Sequence, residues 1–234
     1  RAAIIDEYVL SAEEYMTAFA LGSQVRDLLR NPDDPALLER AQKYTEDFAA
    51  IKGIFEGLYI STPDTYVLTH TSQGAIGITT RTGESLNEFS NTILAQPRLT
   101  NLGIMKSPGT GSMILSMYYP IFDNQKCIGY VGAGVYASRL MDVLLDLDIE
   151  GLPNSEYIFL NVDNGTYLYH PDESLLNTQT SDPGYQDILQ QIKAEGNTQA
   201  GTYSYQDENG IRQLVVYKYL KDRNWVFMVR DNAA

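Results

Sequence analysis

The sequence predicts an α+β protein, with a long N-terminal helix alongside two tandem copies of one antiparallel sheet-and-helix unit. Three observations predict it. Apolar residues repeat with a helical period up to Gly53 and with a period of about two after it. Turn-forming clusters then punctuate the chain at Pro63-Asp64-Thr65, Asp123-Asn124-Gln125, Asp163-Asn164-Gly165 and Asp207-Glu208-Asn209-Gly210. Finally, the run Leu58 to His70 recurs as Ile158 to His170, an offset of 100 residues, each a strand, a tight turn and a short strand ending in histidine. The chain's 2 histidines occupy the matching position.

The elements follow in order. Ile4, Ile5, Tyr8, Val9, Ala12, Tyr15, Met16 and Phe19 form one apolar stripe, so residues 1–30 read as a single helix. Asn31 to Pro35 breaks it. Asp34 then caps a second helix with Pro35 in its first turn, Leu37, Ala41, Tyr44 and Phe48 on its stripe, and Gly53 at its end. Strands are expected at 55–61, 66–70, 112–122, 126–135, 155–162, 166–170, 200–206, 211–220 and 224–230, and helices at 84–96, 136–147 and 184–195. The order is β-β-α-β-β in both copies, with one further strand in the second. Gly151-Leu152-Pro153-Asn154 is the expected boundary. This gives a helical region at 1–53, a first unit at 54–150 and a second at 151–234.

Composition narrows the function. Formal charge is −13, from 17 basic and 30 acidic residues, which argues against nucleic acid. The basic residues of the last segment, Arg212, Lys218, Lys221, Arg223 and Arg230, are either a solvated surface or a face toward anionic headgroups. The single Cys127 lies in an apolar run and reads as a core residue. No run reaches the ~20 apolar residues that a membrane helix needs, and the chain starts abruptly at Arg1 like an excised segment.

The stretch Tyr66-Val67-Leu68-Thr69-His70, the segment Gly77 to Arg81, the run Gly111 to Asp123 and the following Gly129 to Ala133 together resemble the membrane-distal module of the double Cache family of bacterial sensor ectodomains. Tyr157 to Leu160, His170-Pro171-Asp172 and Asn224-Trp225-Val226 resemble its membrane-proximal module. The resemblance implies two PAS-like units beside a long helix. It also implies a location outside the cell membrane, between transmembrane helices that this chain lacks. The output would be a chemotaxis domain, histidine kinase or diguanylate cyclase beyond this chain. Ligands in such a family are small, bind the distal module and require no cofactor. Amino-acid-binding members carry an Arg-x-Trp-Tyr signature and an Asp after the Gly-Ala of the last distal strand. Here the only tryptophan is Trp225 and the Asp position holds Gly134, so a standard α-amino acid is not the expected ligand.

Candidate ligand-binding residues are Tyr59, His70, Arg81, Met105, Ser107, Ser116, Tyr118 and Gly134. Ser116 and Tyr118 share a strand face by period two and are either polar contacts in an apolar pocket or an outward face. Tyr59 and Met105 would belong to the same wall. Arg81 is either a surface arginine or a fork for a carboxylate. His70 lies where family pockets form, while His170 reads as structural. Ser107 opens the loop Ser107 to Ser112, which is neither a phosphate loop nor a nucleophile elbow. No metal site or enzyme is expected, since no set of nucleophile, base and metal ligands assembles. The expected partner is a small molecule. The alternative is a ligand-free interaction ectodomain, and a homodimer through the N-terminal helix is expected as a mode of association.

Overall fold

The computed structural model describes residues 2–137 and 155–232. The chain divides into two compact units, Glu7–Arg139 and Leu140–Ala234 with Arg1–Asp6. The helix expected beyond Tyr136 and the boundary expected at 151–154 fall outside the described residues.

The expected first helix is two, α1 (Ala2–Ala20) and α2 (Ser23–Arg30). The reason is Gly22. A Cβ there would lie 2.4 Å from the Tyr44 hydroxyl. Without one, the Tyr44 ring crosses the break and stacks on Phe19 with ring centroids 5.0 Å apart. Helix α3 (Pro35–Lys52) matches its predicted signals: the Asp34 carboxylate accepts from the Ala36 and Leu37 N–H groups, and Gly53 ends it in a left-handed turn at φ 59°.

The first unit carries β1 (Phe55–Ser61), β2 (Val67–His70), helix α4 (Gly83–Thr92), β3 (Thr100–Lys106), β4 (Met113–Asp123) and β5 (Lys126–Tyr136). They form one antiparallel sheet in the order β2-β1-β5-β4-β3. Strand β3 was not expected. Its pairing with β4 shifts between Asn101 and Ile104, and Gly103 takes φ 85°, so this bulge interrupts the period-two signal. One sheet face is apolar and buried through Leu58, Ile60, Leu115, Met117, Val131, Ala133 and Val135. Helices α2 and α3 lie on this side. Thr45 of α3 bonds the Thr69 hydroxyl at 2.9 Å, and Leu29 of α2 packs over Gly129.

The second unit repeats the plan with β6 (Glu156–Asn161), β7 (Tyr167–Tyr169), α5 (Pro183–Glu195), β8 (Gly201–Gln206), β9 (Arg212–Leu220) and β10 (Trp225–Asn232), ordered β7-β6-β10-β9-β8. Tyr185, Ile188, Leu189 and Ile192 of α5 pack on Ile158, Leu160, Val215, Val226 and Met228. The basic residues do not form one patch. Lys218, Lys221 and Arg223 gather at the β9–β10 turn, while Arg212 and Arg230 stand near the other end of the ladder, where Asn232 pairs with Gln213.

The copies align differently from the sequence reading. When β7 is matched to β2 at an offset of 100, pairing Ser61 with Val67 and Leu160 with Tyr167 places β6 against β1 at an offset of 99. The second turn is one residue longer. Thr65 N–H returns to the Thr62 carbonyl, whereas Gly165 N–H returns to that of Asn161. A one-residue slip moves every side chain to the opposite face. Tyr59 therefore corresponds to Ile158, not to Phe159.

Candidate functional site

The face of the first sheet opposite α2 and α3 carries the candidate residues. Across the strands, Gly57, Gly134 and Ser116 stand in one row, and Tyr59, Gly132, Tyr118 and Thr100 in the next. Ser116 and Tyr118 do share this face, and both are buried. Gly132 is required here: a Cβ would lie 2.1 Å from the Tyr59 ring, so glycine lets that ring lie across β5. Phe89 of α4 closes the cluster, with its ring 5.0 Å from Tyr118 and 5.2 Å from Tyr130. Tyr130 is fully buried, and its hydroxyl has no partner within hydrogen-bond geometry among the described residues. Burial pushes its pKa up, against a smaller downward pull from Ser61 and Thr80.

Arg81 reaches this cluster from the segment between β2 and α4. Its Nη2 donates to the Tyr118 hydroxyl at 3.0 Å, and its guanidinium lies 4.0 Å from the centre of the Phe89 ring. Ser116 donates to the same Tyr118 oxygen at 3.4 Å. Burial opposes the Arg81 charge, but Tyr118, Tyr59 and Tyr130 more than offset it, so the net shift is upward and the side chain stays cationic. No carboxylate pairs with Arg81 among the described residues.

The backbone of Arg81 is held by Thr65. This buried threonine sits at φ 65°, a conformation that costs a β-branched residue roughly 1–2 kcal/mol. Its hydroxyl accepts the Arg81 N–H at 2.9 Å and donates to the Arg81 carbonyl at 3.1 Å. Its own carbonyl accepts the Thr80 N–H at 3.0 Å.

A second charge, missed in the sequence, lies on the same face. The β1–β5 register shifts at Glu56, which turns this side chain over Gly134, with Oε2 3.0 Å from where a Cβ at 134 would stand. Ile114 fills the rest of that space, its Cδ1 2.9 Å from the same point, so Gly134 opens no gap. Ser107 donates to Glu56 Oε1 at 2.8 Å and Thr110 at 2.7 Å. Ser107 thus holds Glu56 and has no contact with the Arg81 cluster in the structure. Met105, opposite Ile114, belongs to the same face at this end. No signal in the sequence marked Glu56, because the bulge that turns it is a property of the pairing.

His70 stacks on Tyr59, with centroids 5.3 Å apart, and its Nδ1 accepts the Ser72 N–H at 2.8 Å. His170 does the same for Asp172 at 2.9 Å. Burial lowers both pKa values below 6.5, with Glu56 pulling His70 back up. Among the described residues, no group of His, Cys, Asp and Glu is placed to hold a metal ion.

The matching face of the second unit is filled from within. Paired positions put Val215 for Ser116, Met228 for Gly132, Val226 for Tyr130, Arg230 for Gly134 and Glu156 for Gly57. Arg230 and Glu156 form an ion pair with each other, and Asp182 lies 4.0 Å from the same guanidinium. Ser181 replaces Arg81 and Gly165, at φ 70°, replaces Thr65.

The family model of the Cache domain, dCache_1, matches residues 2–233. By structure, the chain is similar to the sensor domain of the V. cholerae histidine kinase DctB, with TM-score 0.67 and 10% identity over 99% of this chain and 94% of that one. It is similar to the ligand-binding domain of the Pseudomonas aeruginosa amino acid chemoreceptor PctB in complex with L-Gln, with TM-score 0.65 and 16% identity over 99% and 86%. It also resembles that of the Pseudomonas fluorescens chemoreceptor CtaA in complex with L-alanine, with TM-score 0.61 and 15% identity over 97% and 90%. No curated protein matches by sequence. These neighbours give no support to the expectation that an α-amino acid is excluded.

Proposed function

The chain belongs to the double Cache family of sensor domains, and on that premise we propose that its first unit binds a small zwitterion between Arg81 and Glu56. The domain itself is of a sensor type and not catalytic. It would stand outside the cell membrane and pass ligand occupancy to an output domain beyond this chain. No described helix is long and apolar enough to cross a membrane.

One observation carries the ligand class. Two partly buried opposite charges share one sheet face, each hydrogen-bonded by hydroxyl groups and neither paired with a counter-ion among the described residues. Uncompensated charge in such a setting is unfavourable, and a molecule presenting a carboxylate to Arg81 and an ammonium to Glu56 would complete both. Glu56 supplies the acidic group whose absence at position 134 had argued against amino acids. An α-amino acid therefore re-enters the ligand class, as do amino acids with more widely spaced charges.

The test is calorimetry with L-alanine, L-glutamine and 4-aminobutanoate beside the single-charge analogues propanoate, butanoate and butylamine. At least one zwitterion should bind about 10-fold tighter than its analogues, a difference of about 1.4 kcal/mol. Arg81→Gln and Glu56→Gln should each remove that advantage. Equal binding of butanoate, or indifference to both substitutions, would overturn the reading.

Association through the N-terminal helix remains part of the proposal. Leu10 is 49% and Leu21 65% exposed, and both line a groove of about 480 Å³ on α1. Sedimentation of Leu10→Glu and Leu21→Glu variants against wild type tests it.

A further inference from the structure

Thr65 is a strained position of the first unit that the binding reading leaves unexplained. Five non-glycine residues in the described chain have positive φ, and the other four are Asn124, Gln125, Asn177 and Asn224. Asparagine tolerates that region because its short side chain bonds locally, and glycine tolerates it for lack of a Cβ. A β-branched threonine does not. The backbone at this turn requires the left-handed conformation in both units, since Gly165 takes φ 70° at the matching position. Glycine is therefore the unstrained choice, and the second unit has it.

What differs between the units is what the side chain can hold. In both, the carbonyl of this residue takes the N–H of a threonine, Thr80 or Thr180. Only Thr65 adds a hydroxyl that bonds the next residue on both sides, accepting from Arg81 N–H and donating to Arg81 C=O. The residue so held is the arginine that meets Tyr118 and Phe89. Where the clamp is missing, the residue is Ser181 and the face is closed by aliphatic side chains. Strained residues persist where their surroundings over-determine them, and such sites cluster at binding sites.

We infer that Thr65 is a positioning residue for ligand recognition: its hydroxyl fixes the Arg81 backbone so that the guanidinium meets Tyr118 and Phe89 before any ligand arrives. Its importance for binding rests on the Arg81 reading above, but the positioning itself does not.

The experiment compares wild type with Thr65→Gly and Thr65→Ser. Glycine keeps the backbone conformation and removes the hydroxyl, whereas serine keeps the hydroxyl and removes the methyl group. Without any ligand, the Arg81 Nε–H signal in nitrogen-15 NMR should be a resolved, slowly exchanging resonance in wild type and in Thr65→Ser. In Thr65→Gly it should move to the solvent-averaged position. Affinity for the tightest of L-alanine, L-glutamine and 4-aminobutanoate should fall about 10-fold in Thr65→Gly and stay within about twofold in Thr65→Ser. The inference is overturned if the Arg81 signal is unchanged in Thr65→Gly, or if serine loses as much as glycine. If Arg81→Gln leaves binding intact while the signal responds as expected, the positioning stands and the binding reading fails.

Discussion

Where the second sheet presents Val215, Val226 and Met228 to its helix, the first presents Ser116, Tyr130 and Gly132 at the matching positions. The strand orders are the same, yet one face is packed by four large buried side chains of α5 and the other by Phe89 of α4 with Ile93 and Leu94 after it. Each fully buried aliphatic or aromatic side chain contributes roughly 1.5–3 kcal/mol. The charges differ in the same sense. Arg230 and Glu156 neutralise one another in the second unit, while Arg81 and Glu56 in the first do not. The lesson is that one framework can be closed by its own side chains or left electrostatically incomplete, and the change needs only a few positions.

The sharpest way to break this comparison is Ile188→Ala, which removes a buried part of the closed face. It should cost about 2–5 kcal/mol in urea unfolding and leave zwitterion affinity unchanged. A loss below 1 kcal/mol would show that α5 is not the stabilising layer. Next comes Gly132→Val, which gives the first sheet the aliphatic character of the second. The new Cβ would displace the Tyr59 ring, costing about 1–3 kcal/mol and weakening ligand binding about 10-fold by calorimetry.

The histidines test what the units share. Burial places both folded pKa values below the ordinary 6.5. Between the folded and unfolded values the unfolded chain binds more protons, so stability is lost as pH falls through 6.5 and levels off below the folded values. Thermal melts should lose up to about 1.4 kcal/mol per pH unit for each histidine, and His70→Gln and His170→Gln should each flatten the slope. The smallest effect is expected for Glu156→Gln, at about 1 kcal/mol, because the pair is partly exposed and Asp182 still faces Arg230.

Most elements could be read from periodicity and turns, down to the Asp34 cap and the Gly53 stop. The failures share one cause, which is that pairing is not written in a single strand. Strand β3 was hidden by the bulge at Gly103. Glu56 was hidden by a register shift, and the α1–α2 break depends on a ring from α3. Arg81 and Tyr118 could be nominated separately, but their contact joins residues 37 positions apart. Ser107 and Gly134 were nominated for the ligand, and both lie beside Glu56, which was not.

The extra residue in the Asn161–Gly165 turn behaves like a reading-frame shift. Upstream of it, β6 lies one position out of phase with β1, so assigning roles by matching letters gives each strand's inward positions the identities of its outward ones. A duplicated module can therefore exchange the two sides of a strand by changing a hairpin's length, with no substitution inside the strand. Turn length deserves to be compared before residue identity whenever a function is carried from one copy to the other.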